Sequence, residues 1–171
     1  MKPTFWQRLD ALARGLAPFA LTLILVLFSA VPLRLPHLAA IGPNFALLAV
    51  FYWAVHRPGV LPAPAVFFLG LLSDVLGAAP LGVGTVTLLG VHAVVLSQRR
   101  FLVGQSFMGV WAGFTVVCAA AFTVVWALSS LLAGFAIDSR AAVFATMLNV
   151  AVYPAAGFIF AHAQRSLLPQ A

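Results

Sequence analysis

The feature that most constrains this chain is its series of long apolar runs, most near twenty residues, divided by short breaks that carry one or two charges, prolines or glycines. About twenty apolar residues in a helix cross the ~30 Å hydrocarbon core of a bilayer. Runs such as 19–28 show no alternation of polar and apolar positions, which argues against a membrane β-barrel. Charge is correspondingly scarce: nine Lys or Arg and three Asp make up 7% of 171 residues, while 64% are hydrophobic. A soluble domain covers its surface with roughly 25% charged residues, so the composition excludes a soluble globular enzyme. It also excludes a disordered chain, which needs low hydrophobicity and high charge.

The interruptions predict an all-α, polytopic membrane protein forming one integral membrane domain over 1–171, with six spans at about 15–33, 38–55, 60–79, 80–97, 104–134 and 140–163. The first closes at Arg34, Pro36 and His37, and the second at His56-Arg57-Pro58-Gly59. The third and fourth are joined by Ala79-Pro80-Leu81-Gly82. The fifth run exceeds one crossing, so it tilts or ends in an interfacial turn near Ser129-Ser130. The Pro-rich stretch Pro58, Pro62, Pro64 blurs the start of the third helix. The first run follows a basic stretch and has a weak cleavage-like Ser29-Ala30, but further apolar runs follow at once, so it reads as a retained span.

The basic residues set the orientation. With the N-terminus inside, the cytoplasmic face receives Lys2, Arg8, Arg14, Arg57, Arg99, Arg100 and Arg165, and the outer face Arg34 and Arg140. Such a bias places both termini in the cytoplasm. Trp6, Tyr52 and Trp53 fall near predicted span ends, where amphipathic rings are favoured. The net charge of +6 is spread between spans rather than gathered on one face, which speaks against nucleic acid.

Polar groups within the spans each need an account, because they are costly in lipid. Asp74 is the one acid deep within a span, and Gly70, four residues earlier, shares its helical face. Counting along the helices at 1.5 Å per residue puts Asp74 roughly 7 Å, and Asn44 and Asn149 roughly 4–5 Å, to the outer side of their span centres. The three are therefore expected to meet at one level, either as a polar clasp between helices or as a ligand site. His92 falls on the inner half, too far in depth for a relay with Asp74; it and His162 are expected to cap or pack at helix contacts. Tyr153 shares the face of Asn149, and Pro154 is expected to kink or loosen the sixth helix. Cys118 is alone in an apolar run and has no companion ligand.

Catalytic signatures are missing from the sequence. It has no zinc-binding His-Glu-x-x-His, no nucleophile elbow and no phosphate loop. Asp10 and Asp138 lie far from Asp74 in sequence, in the basic N-terminal region and in the outer fifth-to-sixth connection. The expectation is a protein with no catalytic site, no cofactor and no metal.

Residues 42–94 carry a pattern: Gly42-Pro43-Asn44, an apolar run ending Phe51-Tyr52-Trp53, then Gly70-Leu71-Leu72-Ser73-Asp74 followed by Pro80-Leu81-Gly82. This resembles the rod shape-determining MreD family of bacterial inner-membrane proteins. The resemblance implies a multi-pass protein of the wall-elongation machinery, which makes peptidoglycan for the lateral wall. The implied partners are MreC and, in the wider complex, RodA, a penicillin-binding transpeptidase and MreB. It also implies a fold similar to the substrate-binding subunits of energy-coupling-factor transporters, with a pocket opening outward. The family motif falls on Pro43, Gly70, Asp74, Pro80 and Gly82, for which structural or partner-contact roles are expected; Asn44 and Asn149 join them on depth alone. The expected function is thus a non-catalytic scaffold of the elongation complex, docking MreC. The alternative is a small-molecule-binding subunit of a transporter, with Asn44, Trp53, Asp74 and Asn149 lining its site.

Overall fold

The computed structural model describes residues 19–28, 42–77 and 80–167, with side chains to residue 162. Every element in it is a helix, and no strand occurs among the described residues. We number them α1 (Phe19–Phe28), α2 (Phe45–His56), α3 (Ala63–Leu76), α4 (Val83–Val103), α5 (Phe107–Ala133) and α6 (Arg140–Leu167). The basic residues Lys2, Arg8 and Arg14, together with Trp6, Asp10, the first-loop residues Arg34, Pro36 and His37, Ala79, and the side chain of Arg165 lie outside the described residues.

α2 is the centre of the bundle. All ten residues from Ala46 to Val55 are buried, as expected of a helix that is apolar on every side. It packs against α4, α6 and α3, while α3 pairs with α4 and α5 with both α4 and α6. The core between α2, α5 and α6 is aromatic. Phe51 meets Phe114 edge-on at 5.1 Å, and Phe114 stacks on Tyr153 at 4.2 Å. Toward the far end of α2, Tyr52 stacks on Phe160 at 5.1 Å. Offset and edge-on ring pairs of this kind add to the burial of their area. The outward faces of α4 to α6 remain apolar, with Phe101, Val116 and Phe158 each about two-thirds exposed or more. Such a surface suits lipid rather than water.

α4, α5 and α6 are long and apolar enough to cross a membrane, whereas α1, α2 and α3 are shorter apolar helices. At 1.5 Å per residue, the 12 residues of α2 reach roughly 18 Å. Several expected boundaries shift. α4 does not stop at Ser97 but continues through Arg99 and Arg100 to Val103. α5 runs unbroken past Ser129-Ser130, so there is no interfacial turn there; it ends where Gly134, at φ 76°, sends its N–H back to the Ser130 and Leu131 carbonyls. α3 starts after Pro62, with a further proline in its first turn where no N–H is required.

Pro154 lies inside α6 without ending it. A proline there has no N–H to give the carbonyl four residues back, which is that of Val150. That carbonyl is not left bare: the Trp111 indole Nε1–H of α5 donates to it at 3.0 Å. The gap in the helix ladder thus becomes a tie between α5 and α6.

Candidate functional site

The polar side chains singled out in the sequence gather at two helix starts. The first is the start of α4. Gly82 occupies its N-cap position with φ 93°, a left-handed conformation that glycine adopts without steric cost. A glycine cap has no side-chain oxygen to receive the free N–H groups of the first turn. Asp74, near the end of α3, supplies two. Its Oδ2 accepts from the Gly82 N–H (2.9 Å), the Thr85 N–H (2.9 Å) and the Thr85 hydroxyl (2.8 Å), and its Oδ1 from the Gly84 N–H (3.0 Å). The remaining donor, Val83 N–H, goes to the Pro80 carbonyl at 3.2 Å. Every N–H from Gly82 to Thr85 is therefore paired, with the carboxylate only 4% exposed. A negative group facing the positive end of a helix dipole is also in its favoured place.

This arrangement needs close backbone approach. A Cβ on Gly70 would sit 2.7 Å from Thr85 Cα, so Gly70 is what lets α3 lie against α4. A Cβ on Gly84 would run into the Asp74 carboxyl. Gly70, Asp74, Pro80 and Gly82 are thus brought together, and Gly84 and Thr85 complete the set. The sequence reading overlooked the last two. The Gly82-x-Gly84-Thr85 run directly after a Pro-Leu turn was the available signal, since small residues and a hydroxyl are what a shared helix cap demands.

The second site is the start of α2. Pro43 contributes its carbonyl to the Phe45 N–H at 3.1 Å. Asn44 caps the helix, its Oδ1 accepting from the Leu47 N–H at 3.0 Å. The Asn44 N–H is itself received by Asn149 Oδ1 of α6 at 2.9 Å, while Asn149 Nδ2 donates to the Ala145 carbonyl at 2.8 Å. Asn149 is fully buried. It lies nine residues into α6, so α2 begins roughly 13 Å along α6 from its start, inside the bundle. Backbone groups exposed at such a depth must find partners within the protein, and the two asparagines provide them.

The expected meeting of Asn44, Asp74 and Asn149 at one level does not occur. Asn149 receives the backbone N–H of Asn44 rather than its side chain, and all four donors to Asp74 come from residues 82–85. The physical reason is adjacency: α3 packs on α4 and α2, whereas α6 packs on α5 and α2. Asp74 and Asn149 sit on helices that do not pack together, and although α2 touches α3, the Asp74 carboxylate turns to the start of α4, the main neighbour of α3. His92 behaves as anticipated, its Nε2 lying 3.0 Å from the Leu61 carbonyl while the ring is buried. The Trp53 indole N–H is buried and has no hydrogen-bond partner among the described residues.

A groove of about 600 Å³ opens between α5 and α6, lined by Phe122, Trp126 and Ser129 on one side and Ala141, Ala142 and Ala145 on the other. Trp126 Nε1–H donates to the Ile137 carbonyl at 2.8 Å, tying the α5–α6 connection to α5. Asp138, also at the groove, receives the Arg140 backbone N–H at 3.0 Å. None of Asn44, Trp53, Asp74 or Asn149 lines it. No group of three or more metal-ligating side chains occurs among the described residues.

An all-helical bundle with an apolar outer surface, three of whose helices are long and apolar enough to cross a membrane, defines the class as a helical membrane protein. Within that class, the family model for the rod shape-determining protein MreD matches residues 10–161, and the chain belongs to that family of cell-shape-determining membrane proteins. No curated protein and no solved structure matches it significantly.

Proposed function

We propose that this protein is a non-catalytic, multi-pass scaffold of the bacterial inner membrane. In this reading it docks MreC and, through it, takes part in the complex of RodA, a penicillin-binding transpeptidase and MreB. The observation that carries the reading is the use made of Asp74, Asn44 and Asn149: each is consumed in closing a helix start. A transporter or enzyme keeps such groups available for its ligand. A scaffold needs them to hold a rigid bundle whose outer helices present apolar surface to neighbours in the membrane, where association depends on close packing.

The test is affinity purification of the tagged protein from native membranes. The scaffold reading expects MreC among the recovered proteins, and expects its yield to fall with Asp74→Ala. Recovery of an ATPase pair instead, with a soluble vitamin raising the melting temperature at micromolar concentration, would overturn it in favour of a small-molecule-binding transporter subunit.

A further inference from the structure

The end of the bundle opposite the Asp74 cap gathers positive charge around one fixed guanidinium. α4 ends its long run there, and Arg99 donates through Nε to the Val55 carbonyl in the last turn of α2 at 3.0 Å. A C-terminal helix carbonyl has no partner within its own helix, so this bond both satisfies it and fixes the plane of the guanidinium. The two Nη groups are not used in that bond. Arg57 lies two residues beyond the accepting carbonyl and Arg100 is next to Arg99; Arg57 is partly exposed and Arg100 exposed. Exposed Ser97 and Gln98 extend the polar rim.

No described carboxylate balances these charges. Asp74 is bound to residues 82–85 at the start of α4, at least 14 residues before Arg99 along the helix, and Asp138 lies in the connection at the far end of α5. Three arginines at the rim of an apolar bundle, one of them oriented, match the chemistry of a phosphodiester. A guanidinium presents a planar fork to two phosphate oxygens, and a basic cluster beside a membrane span attracts anionic headgroups.

We infer that Arg57, Arg99 and Arg100 form a binding site for the phosphate of an anionic phospholipid headgroup, with the acyl chains against the exposed apolar face of α4 that carries Val94, Leu96 and Phe101. Arg99 receives the phosphate in its fork, and Arg57 and Arg100 add the charge that selects an anionic over a zwitterionic lipid. The inference rests on the reading of the chain as a membrane bundle. It does not depend on any protein partner, so its failure would leave the scaffold proposal standing.

The experiment uses the full chain purified in neutral detergent and titrated with phosphatidylglycerol, phosphatidylcholine or soluble glycerol 3-phosphate, with retained lipid read by native mass spectrometry. Phosphatidylglycerol is expected to be retained in clear preference to phosphatidylcholine, and glycerol 3-phosphate not at all. Arg57→Gln and Arg100→Gln each lower phosphatidylglycerol affinity about fivefold, with an unchanged melting temperature in the absence of lipid. Arg99→Lys, which keeps the charge and removes the fork, lowers it as well. Arg140→Gln, at the opposite end, leaves it unaltered. Equal retention of the two lipids would overturn the inference. So would an equal loss with Arg140→Gln, or binding of glycerol 3-phosphate as tight as that of the lipid.

Discussion

Two helices of this bundle have their starts closed with the help of a buried side chain from another helix, and they are closed in different ways. The start of α4 is closed by one carboxylate reaching across from the preceding helix, with four donors converging on two oxygens. The start of α2 is closed by two amides, one local and one from a helix 105 residues further along. The first concentrates charge on a glycine cap that cannot serve itself. The second shares neutral groups between a self-capping asparagine and a distant one. The difference is one of strength and of reach. The Asp74 cap locks neighbours in sequence, α3 to α4, firmly; the Asn44–Asn149 cap holds the N-terminal half of the chain to its last helix with weaker bonds.

That contrast ranks the consequences of mutation. Asp74→Ala leaves three N–H groups and a hydroxyl without their acceptor. At 1–3 kcal/mol for each buried group so stranded, a loss of at least ~3 kcal/mol in stability is expected, read as a large fall in the detergent melting temperature and in membrane abundance. Asp74→Asn retains oxygen on one side only and falls between the two. If Asp74→Ala cost no more than Asn149→Ala, the distinction between the caps would be lost.

Gly70→Ala and Gly84→Ala come next, since both push a methyl group into the same contact; overpacking of this kind costs about 1–3 kcal/mol. Gly90→Ala serves as a control on α4, because a Cβ there meets nothing within 4 Å, and it is expected to be neutral or slightly stabilising. Asn149→Ala removes the acceptor for one backbone N–H and should cost ~1–2 kcal/mol. Asn44→Ala, the loss of an N-cap, should cost ~1 kcal/mol. The smallest effect is expected of Trp111→Phe, which keeps most of the ring packing and removes the donor to the Val150 carbonyl freed by Pro154; a loss of ~1 kcal/mol or less in the same melting assay would fit.

What could be read from the sequence follows the same division. The Asp74 site was legible because its parts are close together: Gly70 one turn before Asp74 marks the contact face, and Pro80-Leu81-Gly82 marks the turn that brings α4 back. The family resemblance rested on those residues, and the match over residues 10–161 agrees with it. Depth brings Asn44 and Asn149 to one level, but it shows neither that the bond between them uses the Asn44 backbone nor that the Asn44 side chain caps a helix. The apolar run from residue 38 predicts a helix already under way at Asn44, whereas Asn44 is the cap of a helix that opens at Phe45. Depth also wrongly drew Asp74 into the same group, because hydropathy measures position along a span and says nothing about which helices are neighbours. The Trp111–Val150 and Arg99–Val55 ties are long-range contacts of side chains to backbone. A tryptophan or arginine in the sequence does not announce which carbonyl it will reach.

The claim that the polar residues form two separate closures, rather than one shared network, can be measured directly by a double-mutant cycle. Asp74→Ala, Asn149→Ala and the double variant are compared by equilibrium unfolding in detergent. Independent sites give losses that add within about 0.5 kcal/mol, and that is the predicted result. A coupling energy above about 1 kcal/mol would mean that the three side chains work as a single cluster, and the account given for both helix starts would be contradicted.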